Sequence, residues 1–115
     1  MSELADHIAQ LLTAIFPTFF TVKREHYINY KGQKLFFDFY IKDLWLLIEI
    51  QGRQHSEFVE HFHGDREGFI KSKARDNLKV EYCQKNDLEL LTINYDEKVE
   101  TTDQLLEKIN KAMSN

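Results

Sequence analysis

The sequence predicts one α/β domain, an α+β mixed sheet in the order α-β-β-β-α-β-α, with a three-strand antiparallel meander and a fourth strand added after a helix. Three observations lead to it. Apolar residues recur at helical spacing near both ends of the chain. Between them, β-prone runs follow one another with only short polar breaks, the pattern of strands joined by tight turns. A long segment of helical character then separates the third run from a fourth, and a connection of that length is what parallel pairing needs.

The first helix starts at Ser2 and Glu3, with Ser2 as N-cap. It carries Leu4, Ile8, Leu11, Leu12 and Ile15 at helical spacing until Pro17 stops it. Phe19 to Tyr30 reads as a strand, because Thr21, Val22, Tyr27, Ile28 and Tyr30 favour the pleated state around Lys23, Arg24 and Glu25. Lys31-Gly32-Gln33-Lys34 supplies a turn into Phe36–Ile41, and Lys42-Asp43 turns the chain again into Leu46–Gln51. Gly52 to Glu67 has no clean period, holds His55, His61 and His63, and reads as a loop beside the site. Arg66 to Asn86 is helical, with Phe69, Ile70, Leu78, Tyr82 and Cys83 as core positions, basic residues on its other faces and Asn86 as C-terminal cap. Leu88–Ile93 is the fourth strand, parallel to a neighbour, and Thr101 or Thr102 opens a last helix with Leu105, Leu106, Ile109 and Met113 on one face.

At 115 residues the chain is long enough for one domain, residues 1–115, and 43% hydrophobic with 13% aromatic residues excludes disorder. The longest apolar run, Leu44 to Ile48, falls far short of the ~20 residues that cross a bilayer, and no basic-then-apolar leader opens the chain. The expectation is a cytoplasmic protein with no membrane partner. A single cysteine, Cys83, cannot close an internal disulfide. The net charge of −4 argues against bulk attraction to nucleic acid. Charge is uneven, however: Arg66, Lys71, Lys73, Arg75 and Lys79 crowd one segment, and such a stripe can contact phosphates whatever the total.

Two acids stand where a core is expected. Asp38 interrupts Phe36-Phe37 and Phe39-Tyr40-Ile41, and Glu49 interrupts Leu46-Leu47-Ile48 and Ile50. A buried carboxylate needs a partner, a hydrogen bond or a metal, and two of them on neighbouring strands repel unless a cation intervenes. By alternation Asp38 points with Phe36 and Tyr40, and Glu49 shares a face with Gln51, apart from Leu46, Ile48 and Ile50. With His55 nearby in the chain, these polar groups mark a site rather than a solvated sheet face.

Asp38, ten intervening residues and then Glu49-Ile50-Gln51 resemble the PD-(D/E)XK nuclease motif in the variant where glutamine replaces the lysine. Phe37-Asp38-Phe39, Ile48-Glu49, Gly52-x-Gln54-His55, Lys73-x-x-Asp76-x-x-Lys79-x-x-Tyr82-Cys83 and Leu90-Leu91-Thr92-Ile93-x-Tyr95 more narrowly resemble phage-encoded homing-type endonucleases, similar to the very-short-patch repair endonuclease and described by the pattern EDxHD. The resemblance runs from about Phe19 to Tyr95 and implies that superfamily's fold, a divalent-metal-dependent DNA endonuclease and a phage-encoded protein acting in a host cytoplasm. It also implies roles. Asp38 and Glu49 hold Mg²⁺ or Mn²⁺, whose preference for oxygen ligands they suit. His55 acts as general base or phosphate donor, Asp76 orients it or a water, and Gln51 positions water or phosphate. Arg53, Lys71, Lys73, Arg75 and Lys79 are the expected nucleic-acid contacts. The pattern's first-helix glutamate falls to Glu3, with Asp6 and Glu25 as the other acids within reach. A domain this small calls for a homodimer, a partner protein or a special DNA structure if it cuts at a defined site.

Other readings stay open. A catalytically weak or inactive module of the same fold, binding nucleic acid or a protein, follows from the missing lysine and the unsettled first-helix acid. His55, His61, His63, Asp65 and Cys83 would be zinc ligands only in a spacing that matches no paired-ligand pattern. Cys83 falls on an apolar face, where thiols are inert, and Asp76 with Lys79 is also an ordinary helical i,i+3 pair.

Overall fold

The computed structural model describes residues 3–16, 21–52 and 66–114. Among them the expected order appears: helix α1 (Glu3–Ile15), strands β1 (Val22–Tyr30), β2 (Gln33–Ile41) and β3 (Leu46–Gln51), helix α2 (Arg66–Lys85), strand β4 (Glu89–Asn94) and helix α3 (Thr102–Met113). The strands form one sheet in the order β1-β2-β3-β4, with the first two pairings antiparallel and β3–β4 parallel. The expected N-cap Ser2 and most of the segment from Gly52 to Glu67 lie outside the described residues. No described helix is long and apolar enough to cross a membrane.

Local chemistry explains where the elements stop. Lys31 and Gly32 take φ of 50° and 76° and close a two-residue hairpin between paired Tyr30 and Gln33, a tighter turn than the four-residue stretch suggests. Between β2 and β3 a 3-10 turn, Lys42–Leu44, hands over to Trp45 at φ 54°. The Trp45 carbonyl accepts the Glu89 N–H at 2.9 Å, so the residue that opens β3 also fixes the start of β4. Helix α2 ends with Asp87 at φ 55° and the Leu88 N–H donating to the Cys83 carbonyl at 2.9 Å, a Schellman closure in which Asn86 holds the expected capping position. At α3 the Thr101 hydroxyl accepts the Gln104 N–H while the Gln104 side chain accepts the Thr101 N–H, a complete capping box.

The core lies in two layers, one on each face of the sheet. Ile8 and Leu12 of α1, Val99, and Leu105 and Ile109 of α3 pack on Phe39, Ile41, Leu46, Ile48 and Ile93. On the other face Cys83 of α2 packs with Leu35, Phe37 and Leu47, supported by Leu78, Tyr82, Leu88 and Leu90. β3 therefore buries both faces along Leu46–Glu49, as a strand between two helical layers must. Two expected core positions are corrected: Ile70 is 60% exposed, because the first half of α2 has little sheet beneath it and the packing onto that face begins only at Leu78, and Leu106 of α3 is exposed, turned away from the buried Leu105 and Ile109.

Candidate functional site

The registers on either side of β2 bring the two acids together. The last β2–β3 pair is Phe39 with Ile48, and one step further sets Asp38 opposite Glu49. There the ladder opens. The Ile50 N–H, which a continuing antiparallel pair would engage, donates instead to Asp38 Oδ2 at 2.7 Å. Asp38 thus grips the peptide that joins Glu49 to Ile50, and it satisfies a backbone donor at the point where β2 and β3 part. On the other flank, the pairs Arg24–Phe39 and His26–Phe37 bracket Glu25 opposite Asp38, and Glu49 is level with Thr92.

The strands are irregular along this row. Glu25 takes φ 61°, unusual for a residue with a side chain. Phe37 packs on the α2 side of the sheet while Phe39 packs on the α1 and α3 side, so simple alternation fails at Asp38. The expectation that Asp38 shares a face with both Phe36 and Tyr40 is corrected accordingly: Tyr40 packs with Phe37.

Glu49 is 4% exposed and Lys79 7% exposed, and the Lys79 ammonium donates to Glu49 Oε1. The ammonium also lies 5.6 Å from the centre of the Phe37 ring. Lys79 is therefore not one of the outward phosphate contacts expected from the basic stripe. Burying an acid of this kind on β3 without a counter-charge is expensive, and α2 delivers one from the layer above. Cys83, one turn further along α2, feels the same acid: burial first, then the carboxylates of Glu49 and Glu89, push its thiol up to about 11. A thiol held protonated in an apolar cluster favours neither the nucleophile nor the zinc-ligand reading.

The remaining candidates divide by position. Gln51 is half-buried at the end of β3, level with Asn94. Asp76 is half-buried on α2, three residues before Lys79. Lys73 lies 5.5 Å from the Phe69 ring centre, and the exposed Lys71 pairs with the exposed Glu67 at 3.3 Å. Glu3 is exposed at the start of α1, and Asp6 is held by Arg24 at 2.5 Å. Arg53, His55, His61, His63 and Asp65 lie outside the described residues. Among the described residues no group of three His, Cys, Asp or Glu side chains converges as a metal-ligand set.

Two features escaped the sequence reading. A cleft of about 380 Å³ opens between the end of the β1–β2 hairpin and the first half of α2, lined by Gln33, Lys71, Ala74, Arg75 and Leu78. By register Gln33 and Gln51 lie at the same end of the sheet, so this basic cleft is on the site's side of the molecule. The His26 ring lies 4.8 Å from that of Tyr40, and burial, then the charge of Lys23, hold its imidazole below the ordinary value. Only the alternation of β1 hinted at an inward His26, and nothing in the sequence announces the cleft.

No protein-family profile matches the chain, and no solved structure matches it. Curated relatives do. Over 65 residues the chain is 43% identical to uncharacterized protein 094L of Frog virus 3 (isolate Goorha), covering 56% of this chain and 42% of that protein. Over 58 residues it is 38% identical to uncharacterized protein 307L of Invertebrate iridescent virus 6, covering 50% and 29%. Over 64 residues it is 31% identical to uncharacterized protein 033L of Invertebrate iridescent virus 3, covering 56% and 33%. The matched stretch of this chain therefore spans less than half the length of each of these viral relatives, whose names state no activity.

Proposed function

We propose that the chain is a divalent-metal-dependent endonuclease that hydrolyses DNA phosphodiester bonds, nicking or cleaving duplex or structured DNA. One observation carries the reading: Asp38 and Glu49 come level where β2 and β3 part, in apolar surroundings, with a lysine delivered to the more buried acid. The donor chemistry fits Mg²⁺ or Mn²⁺, which take carboxylate oxygens and leave other positions to water and phosphate, so two protein ligands suffice. Bound there, the ion supplies Lewis-acid polarisation of the phosphate and a more acidic water.

This chain's own residues do the rest. The Ile50 N–H fixes the Asp38 carboxylate at the parting of the strands. Lys79 brings to Glu49 the positive charge that the motif position of Gln51 lacks, and in this reading it would stabilise charge on the phosphate. Gln51 orients water or phosphate through its amide. His55 remains the candidate base, with Asp76 to orient it, and Arg53, Lys71, Lys73 and Arg75 the candidate phosphate contacts.

The test is conversion of supercoiled plasmid to nicked or linear form with Mg²⁺, with Mn²⁺ and with chelator, for the native chain and Asp38→Asn. Metal-dependent cutting that the variant loses, with its fold intact by circular dichroism, is the expected result. A specific observation favours a second reading, a non-catalytic module on this fold: Lys79 already supplies the counter-charge of Glu49. Folded native protein that never cuts, and binds DNA equally well with Asp38→Asn, selects that reading.

A further inference from the structure

We propose that the outer face of the β1–β2 hairpin is a stacking platform for unpaired bases of a nucleic-acid strand. The inference deepens the nuclease reading, on which its biological use rests, by naming single-stranded or branched DNA as the substrate class. Past the irregular row at Glu25 and Asp38, β1 and β2 turn Ile28, Tyr30, Leu35 and Phe37 toward α2. Their alternate neighbours face the other way. Tyr27 pairs with Phe36, and Asn29 with Lys34. The Tyr27 and Phe36 rings are 5.0 Å apart, and Tyr27 is 51% exposed. The Lys34 ammonium lies 4.7 Å from the Tyr27 ring centre.

An exposed tyrosine ring backed by the half-buried Phe36, an amide and a cation are groups that take a base, its edge and its phosphate. A base stacked on Tyr27 would exchange the Lys34 contact for ring stacking and release the ammonium to the phosphate. Charge on this face comes from Lys34, with no carboxylate between Glu25 and Asp38; Lys31 is paired with Glu81 of α2 at 2.9 Å. Lys34 makes no salt bridge among the described residues, and the cleft on the other side of the same hairpin end adds Lys71 and Arg75. Duplex DNA hides its base faces in its own stack, so the platform selects unpaired nucleotides. Phe36 is two residues from Asp38, about 7 Å along β2, on the sheet face opposite the Lys79–Glu49 pair.

The experiment is fluorescence anisotropy in chelator with a labelled single strand of ~12 nucleotides and with its blunt duplex. The native chain is compared with Tyr27→Leu, which keeps apolar cross-strand packing but lacks the π face, and with Tyr27→Trp, which restores it. The expected result is tighter binding of the single strand than of the duplex. Tyr27→Leu should weaken single-strand binding ~5- to 100-fold at an unchanged melting temperature, and Tyr27→Trp should restore it. Equal single-strand affinity for native chain and Tyr27→Leu, or no single-strand binding by the native chain, overturns the proposal. Because chelator removes cutting from the measurement, binding here with no metal-dependent cleavage of plasmid, single-stranded or branched DNA would defeat the nuclease reading and leave the platform standing.

Discussion

At the scale of single residues, the Lys79–Glu49 pair is where energetics and chemistry meet. Lys79→Met removes the counter-charge of a buried carboxylate and is expected to cost about 3–5 kcal/mol by urea unfolding. Adding Glu49→Leu should recover most of that loss, since apolar groups replace a buried pair at little cost, while restoring no cleavage. A single variant as stable as the native chain would mean that Glu49 does not depend on Lys79. Cys83 beside it reports on the same layer. With its pKa raised, the fold favours the protonated thiol, so its contribution to stability is complete below the ordinary value of 9.0 and is lost as the pH climbs through about 11. Disulfide-exchange labelling at pH 8 should therefore be slow in the folded protein and fast in urea. Rapid labelling of the folded chain would show that α2 lifts from the sheet.

At the scale of elements, the β1–β2 hairpin changes allegiance midway. Its base packs under α1 and α3 through Val22, Phe39 and Ile41, and its end packs under α2 through Ile28, Leu35 and Phe37. Glu25 at φ 61° sits at the change, opposite Asp38. A left-handed conformation costs a residue with a Cβ ~1 kcal/mol or more, and glycine adopts it freely. Glu25→Gly should therefore raise stability by up to ~1 kcal/mol in denaturant melts, and Glu25→Val should lower it. The opposite order would mean that the kink is imposed by a contact of the Glu25 side chain.

For the molecule as a whole, charge is sorted by depth as much as by sequence. The stripe on α2 loses Lys79 to the interior and keeps Lys71 and Arg75 at the cleft beside the hairpin end. If DNA follows that side of the molecule, neutralising Lys71 and Arg75 together should flatten the dependence of log affinity on log salt by ~2. An unchanged slope would move the nucleic-acid path to another face. The two-layer packing makes this test clean, because Lys71 and Arg75 belong to the half of α2 that carries little of the core.

Much of this was readable one residue at a time. A cap at Thr101 or Thr102, the cap at Asn86, a turn within Lys31–Lys34, the strands and the parallel arrival of β4 all follow from local propensity and spacing, which act within a few residues along the chain. So did the suspicion attached to Asp38 and Glu49, since an acid inside an apolar run is conspicuous without any coordinates. What only the tertiary structure decided are relations between distant segments. Helix α2 carries no clear apolar stripe, so nothing local says which way Lys79 and Ile70 turn. Contact with Glu49 and Phe37 draws Lys79 inward, and the lack of sheet beneath the first half of the helix leaves Ile70 out. The level meeting of Asp38 with Glu49 depends on register, which is set by the whole hairpin and its neighbours. The reversal of faces at Asp38 depends on two helical layers competing for one pair of strands, a choice made by packing that no single strand's alternation contains.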